Sequence, residues 1–110
     1  MDSPQFNSLT MVVTLTVRNT AVDLFREFER KAARVMKKYG GIIERTVVIP
    51  PKKSEDFLKE IHIVTFPDDP AFQAYRQDEE IRALAPLREA SVVKTEIWFG
   101  KRGPDYLKID

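Results

Sequence analysis

From residue 11 to 18 (MVVTLTVR) β-branched and apolar side chains recur at a period of two, the pattern of a strand. The period then changes. Apolar residues stand at 21, 24, 25, 28, 32, 35, 36 and 39, one stripe of an amphipathic helix over residues 21–39. Asn19 or Thr20 offers an N-cap, and Gly40-Gly41 a stop. Residues 42–49 (IIERTVVI) read as a second strand, closed by Pro50-Pro51, and residues 57–66 (FLKEIHIVTF) as a third. Pro67-Asp68-Asp69-Pro70 is a turn whose aspartates can cap the next helix. Residues 70–89 are helical in composition but their stripe is interrupted. Phe72 and Tyr75 belong to one piece; Ile81, Leu84, Ala85 and Arg88 share a face of a second, starting near Asp78. Residues 92–100 (VVKTEIWFG) form a fourth strand.

The order strand, helix, strand, strand, helix, strand predicts an α+β fold of the ferredoxin-like, split βαβ kind. Its four-stranded antiparallel sheet carries two helices on one face. The expected division is a flexible lead-in over 1–9, one domain over 10–102 and a charged tail over 103–110 that keeps Tyr106, Leu107 and Ile109.

Side chains alternate across a strand, so each strand sorts into two faces. Met11, Val13, Leu15, Val17, Ile43, Val47, Ile49, Ile61, Ile63, Val93, Ile97 and Phe99 form the more apolar set, expected beneath the helices. The other set holds Val12, Val48, Val64, Phe66 and Trp98 together with Glu44, Glu60, His62, Lys94 and Glu96. That face is too apolar to stay in water and too charged for a dry core. A sheet packed on the sheet of a second copy, with a cavity between them, accommodates both properties, and a homodimer is expected.

Composition narrows the chemistry. The chain has 110 residues, 43% of them hydrophobic, enough for one core without staples. Lys plus Arg total 18 and Asp plus Glu 17, so nothing in the net charge of +1 points to nucleic acid or a membrane surface. The basic residues of the first helix (Arg26, Arg30, Lys31, Arg34, Lys37, Lys38) are interleaved with Glu27 and Glu29, which reads as a solvated face. With no cysteine, a disulfide framework, a thiolate metal site and a cysteine nucleophile are excluded. Residues 1–10 show no basic and apolar leader, and no apolar run approaches a membrane span, so a cytoplasmic protein is expected.

Three stretches carry a family likeness: Tyr39-Gly40-Gly41 at the end of the first helix, Phe66-Pro67 closing the third strand, and Phe72 to Arg88 (FQAYRQDEEIRALAPLR). With these the chain resembles the dimeric α+β barrel superfamily of antibiotic-biosynthesis monooxygenases and stress-responsive barrel proteins, over roughly residues 10–102. Its nearest likeness is to small members of unknown function. The resemblance implies pairing of sheets across a two-fold axis around a barrel-like cavity. Some members oxidise aromatic substrates without a cofactor; others bind or degrade haem. The Asn, His and Trp set of the haem-degrading members has no counterpart here, because the histidine lies on the third strand rather than the second helix. No cofactor is therefore expected.

Within that frame His62 and Glu60 are the catalytic candidates. They lie two apart on one strand and point the same way, and a histidine beside a carboxylate can serve as a general base near neutral pH. The competing reading is a histidine hydrogen-bonded in an interface. Glu44, Phe66, Glu96 and Trp98 are the candidate ligand-binding residues: the aromatics, with Tyr75, suit a small apolar molecule, or equally the packing of a dimer. Glu44, Glu60, Glu96 and His62 have no spacing diagnostic of a metal, and none is expected. Two functional classes result. One is a cofactor-independent, monooxygenase-like or related enzyme acting on a small apolar molecule. The other is a non-catalytic dimer that binds a small ligand or a protein partner.

Overall fold

The computed structural model describes residues 8–108, so most of the expected lead-in (1–7) and Ile109 of the tail lie outside the described residues. Four strands form where the alternation predicts them: β1 (Leu9–Arg18), β2 (Ile42–Ile49), β3 (Phe57–Phe66) and β4 (Val92–Gly100). They make one antiparallel sheet in the order β2-β3-β1-β4, the ferredoxin-like arrangement. No helix among the described residues is long and apolar enough to cross a membrane.

The first long helix, α1, spans Val22–Lys38 and follows a single 3-10 turn, Asn19–Ala21. The expected cap is not made. Ala21 occupies the N-cap without a side-chain bond, and the Asn19 amide instead donates to the Glu55 carbonyl at 3.0 Å. The stop is as expected. Gly40 adopts φ +75°, its N–H bonds the Lys37 carbonyl, and the Gly41 N–H reaches back to the Met36 carbonyl, closing a Schellman motif. Gly41 has a second reason to lack a side chain: a Cβ there would stand 2.5 Å from both Met36 Cγ and Phe66 Cε1.

Between β3 and β4 the interrupted stripe becomes three helices rather than two: α2 (Asp69–Gln77), α3 (Glu79–Ala83) and α4 (Ala85–Ser91). Asp68 caps α2 by accepting the Ala71 N–H at 2.8 Å, and Asp78 caps α3 by accepting the Glu80 N–H at 2.8 Å. Pro86 in the first turn of α4 fits a helix start, where its missing N–H costs nothing. The Tyr39 hydroxyl donates to Asp78 at 2.6 Å, tying the end of α1 to the α2–α3 break. That bond, foremost, holds the Asp78 carboxyl down to about 2.

The helices cover one face of the sheet, and the register corrects part of the expected face assignment. On β1 and most of β4 the expectation stands: Met11, Leu15 and Val17 are buried beneath the helices, while Val12, Glu96 and Trp98 lie on the open face. On β3 it is inverted. Met11 pairs with Val64, Val13 with His62, Leu15 with Glu60 and Val17 with Leu58, so Glu60, His62, Val64 and Phe66 lie under the helices and Ile61 and Ile63 face outward. A strand with apolar residues at both parities leaves its own face undetermined. What settles it is the register with β1, which places Leu58, Val64 and Phe66 in the helix interface. On β2 the register shifts between Ile43 and Arg45, and this irregularity reverses the second half. Ile43 packs inward as expected, but Val47 and Ile49 turn to the open face and Val48 to the helix side.

Two apolar clusters make the core. One joins Leu15, Val17 and Leu58 of the sheet to Phe25, Phe28 and Ala32 of α1. The other joins Met11, Val64 and Phe66 to Met36 of α1 and Phe72 of α2. In the second, the Phe66 ring lies 5.4 Å from both Phe72 and Tyr75, centroid to centroid.

Candidate active site

Along β3 the apolar residues Leu58 and Val64 belong to different clusters, and the two positions between them on the same face are Glu60 and His62. The core is thus divided by a polar row. His62 is 4% exposed and Glu60 5%, a depth at which charged groups require partners. The partners are mutual. His62 Nε2 lies 2.8 Å from Glu60 Oε1, and a carboxylate can only accept, so the ring nitrogen donates. On the other side of the ring, His62 Nδ1 faces Glu29 Oε1 of α1 at 3.7 Å. The imidazole therefore stands between two carboxylates from different elements.

The second oxygen of Glu60, Oε2, is buried and accepts no hydrogen bond from the described residues; Arg26 Nη2 stands 4.0 Å from it. Glu29 is the outermost of the three, its side chain 18% exposed. Burial dominates its ionisation and raises its pKa from an ordinary 4.5 to about 7; the nearby Glu60 adds to this and His62 and Arg88 oppose it. Tyr75 of α2 also feels Glu29, and its hydroxyl is pushed up from the ordinary value, chiefly by burial. Arg88 of α4 completes the surround. Its guanidinium donates to Thr95 Oγ1 on β4 at 2.9 Å. Thr95 shares its face with Ile97 and Phe99, which remain 42% and 59% exposed, so the helices leave the outer edge of that face uncovered beside Tyr75 and Arg88. Phe72 meets Phe99 there edge to face, 5.8 Å between centroids.

The candidates from the sequence divide between the two faces. His62 and Glu60 come together, on the helix face rather than in a space between sheets. Phe66 is also on the helix face, 1% exposed, its ring taken up by core packing. Glu44, Glu96 and Trp98 lie on the open face, away from the histidine. Glu44 accepts a hydrogen bond from the Thr65 hydroxyl, and Glu96 pairs loosely with Lys94 at 3.7 Å. Trp98 is 53% exposed. Near Glu44 a groove of about 240 Å³ is lined by Thr10, Ile42, Thr65 and Arg102. Among the described residues no three His, Asp or Glu side chains are arranged to hold a metal ion.

Glu29 is a functional candidate that the charge pattern assigns instead to the solvated face of α1. A signal for it is present in the chain. Position 29 lies four residues after Phe25 and three before Ala32, inside the buried stripe, where a carboxylate is out of place unless partnered.

Comparisons with protein-family models and with curated proteins find no match. Solved structures do match, at the level of fold. The chain is similar to RPA0582, a protein of unknown function from Rhodopseudomonas palustris, with a TM-score of 0.73 and 17% identity over 90% of this chain and 85% of that one. It is similar to SnoaB, a cofactor-independent oxygenase from Streptomyces nogalater, with a TM-score of 0.64 and 15% identity over 90% and 96%. It is also similar to a dimeric protein of unknown function and ferredoxin-like fold from Bacteroides fragilis, with a TM-score of 0.60 and 11% identity over 86% and 96%. The ferredoxin-like α+β fold expected from the sequence is thus shared with an oxygenase that uses no cofactor and with proteins of unknown function.

Proposed function

We propose that this protein is a cytoplasmic, homodimeric enzyme that performs acid–base chemistry on a small, largely apolar molecule without a cofactor, in the manner of the cofactor-independent oxygenase it resembles in fold. The observation that carries the reading is the buried imidazole of His62 held between the carboxylates of Glu60 and Glu29. A core gains nothing from such a row that apolar side chains would not supply at lower cost. Its value is chemical: a histidine oriented by one carboxylate and facing another can move a proton at neutral pH.

The substrate would enter over the uncovered strip of Thr95, Ile97 and Phe99, with Phe72 and Tyr75 against its apolar body and Arg88 beside the charge that forms when its proton leaves. In an oxygenase-like reaction the resulting electron-rich anion is what molecular oxygen would attack. The open face supports the dimer. With Glu60 and His62 removed from it, that face presents Val12, Ile42, Val47, Ile49 and Trp98, all exposed in the single chain, a patch suited to a second copy.

The test is ligand capture. Mass spectrometry of the purified protein and of His62→Gln, after incubation with small phenolic and enolic compounds, should show a molecule retained by the first and lost from the second. Equal retention by both would favour a binding module in which the histidine plays no chemical part.

A further inference from the structure

We propose that Glu29, rather than His62, is the group that exchanges the proton with the substrate, and that His62 and Glu60 act behind it as a relay. This deepens the acid–base reading above and rests on it. The geometry assigns the order. Both ring nitrogens of His62 are directed at carboxylates, Nε2 at Glu60 and Nδ1 at Glu29, and its side chain is 5% exposed, so neither nitrogen is presented to an incoming molecule. Glu60 is buried to nearly the same depth, its side chain 7% exposed. Glu29 alone of the three approaches the surface.

The groups that face Glu29 come from every element around it. Glu60 and His62 lie on β3, Tyr75 on α2 and Arg88 on α4, while Arg26 of its own helix reaches Glu60. Two cations and one histidine thus attend two carboxylates, and burial, the largest influence on Glu29, brings its proton affinity to the neutral range. The step is a simple transfer. The ionised Glu29 takes the proton from an O–H or acidic C–H of the substrate. That bond breaks, a Glu29 O–H bond forms, and the electron pair stays on the substrate atom. As the 3.7 Å gap closes to hydrogen-bond distance, the new carboxyl proton can pass to the lone pair of His62 Nδ1, giving an imidazolium between two carboxylates, its Nε2–H still donating to Glu60. No oxidant or reductant takes part in this step.

His62 is the chain's one histidine and therefore a single reporter for nitrogen NMR of the ring. The experiment follows the His62 ring nitrogens and the carboxyl carbons of labelled glutamate across about pH 5 to 9 in the wild-type protein, Glu29→Gln and Glu29→Asp. The proposal expects a glutamate carboxyl titrating near neutrality and a matching inflection on His62 Nδ1. It expects Glu29→Gln to abolish both and Glu29→Asp to keep them with a displaced midpoint. A His62 inflection unchanged in Glu29→Gln overturns it. So does a wild-type protein in which no glutamate titrates above the ordinary carboxylate range, a result that stands even if Glu29→Gln does not fold. Because these titrations are read without turnover, the two failures are distinguishable: finding no substrate would count against the proposed function and the exchange with it, while loss of the Glu29–His62 coupling would overturn the relay whatever the substrate.

Discussion

Replacing Glu29 by Gln should stabilise the protein at alkaline pH and do little at acid pH. On folding, burial raises the Glu29 carboxyl from 4.5 to about 7. Below 4.5 it is protonated in both the folded and unfolded chain and contributes nothing to the pH dependence. Between 4.5 and about 7 the folded state holds a proton that the unfolded state has released, so stability falls as pH rises through that window, and above it the loss is complete. At about 1.4 kcal/mol per pH unit the gap amounts to roughly 3 kcal/mol. Glutamine has nearly the same shape and no charge. It should recover most of that cost at pH 8 and little of it near pH 4.5, a melting-temperature difference that opens with pH to something on the order of 10 °C. The assay is paired thermal and urea unfolding at several pH values, with protein concentration fixed because the stability of the proposed dimer would depend on it. A variant destabilised to the same degree at every pH would refute the reasoning, showing that Glu29 contributes a hydrogen bond and no buried charge.

Gly41→Ala should cost on the order of 1–3 kcal/mol in urea unfolding, since its Cβ would press on Phe66 and Met36 inside the core; a neutral result would mean that the α1–β2 junction can relax. Tyr39→Phe removes the donor that keeps Asp78 near 2. The stability that this depressed carboxyl supplies is present above its ordinary value of 3.8 and is lost as pH falls toward 2, so wild type and variant should differ at pH 5 and converge at pH 2 in thermal melts. Trp98→Lys places a charge on the open face and should shift sedimentation from dimer to monomer at tens of micromolar, as about 1 kcal/mol or more of interface energy is lost; an unchanged dimer would place the interface elsewhere. Removal of residues 103–110 should weaken the same dimer, because Tyr106 and Leu107 are 80% and 98% exposed in the single chain.

Most of the architecture was legible because local rules sufficed for it. The bounds of β2, β3 and β4 follow from Pro50, Phe66-Pro67 and Gly100, which punctuate clear alternations. The end of α1 follows from Gly40-Gly41, whose backbone geometry few other pairs adopt. The face of β3 was not legible, and the reason is local symmetry: Ile61 and Ile63 alternate as convincingly as Val64 and Phe66, and only pairing with β1 breaks the tie. The shift near Glu44 was invisible for a related reason, since a bulge leaves the composition of a strand unchanged. The site inherited both effects. His62 and Glu60 were recognisable as a pair from their spacing alone. Their third partner, Glu29, lies 33 residues from His62 on another element and is brought near by the packing of α1 on β3.

The proposed chemistry takes place between the sheet and the helices rather than on the open face. Chemical-shift mapping of the intact protein with small, weakly acidic aromatic and enolic fragments tests it most directly. Perturbations should concentrate at His62, Tyr75, Thr95 and Phe99, with the His62 ring responding to each fragment that binds. Perturbations gathered instead at Trp98, Glu96, Glu44 and Thr65, with His62 unmoved, would contradict it and return the site to the space between two copies of the sheet.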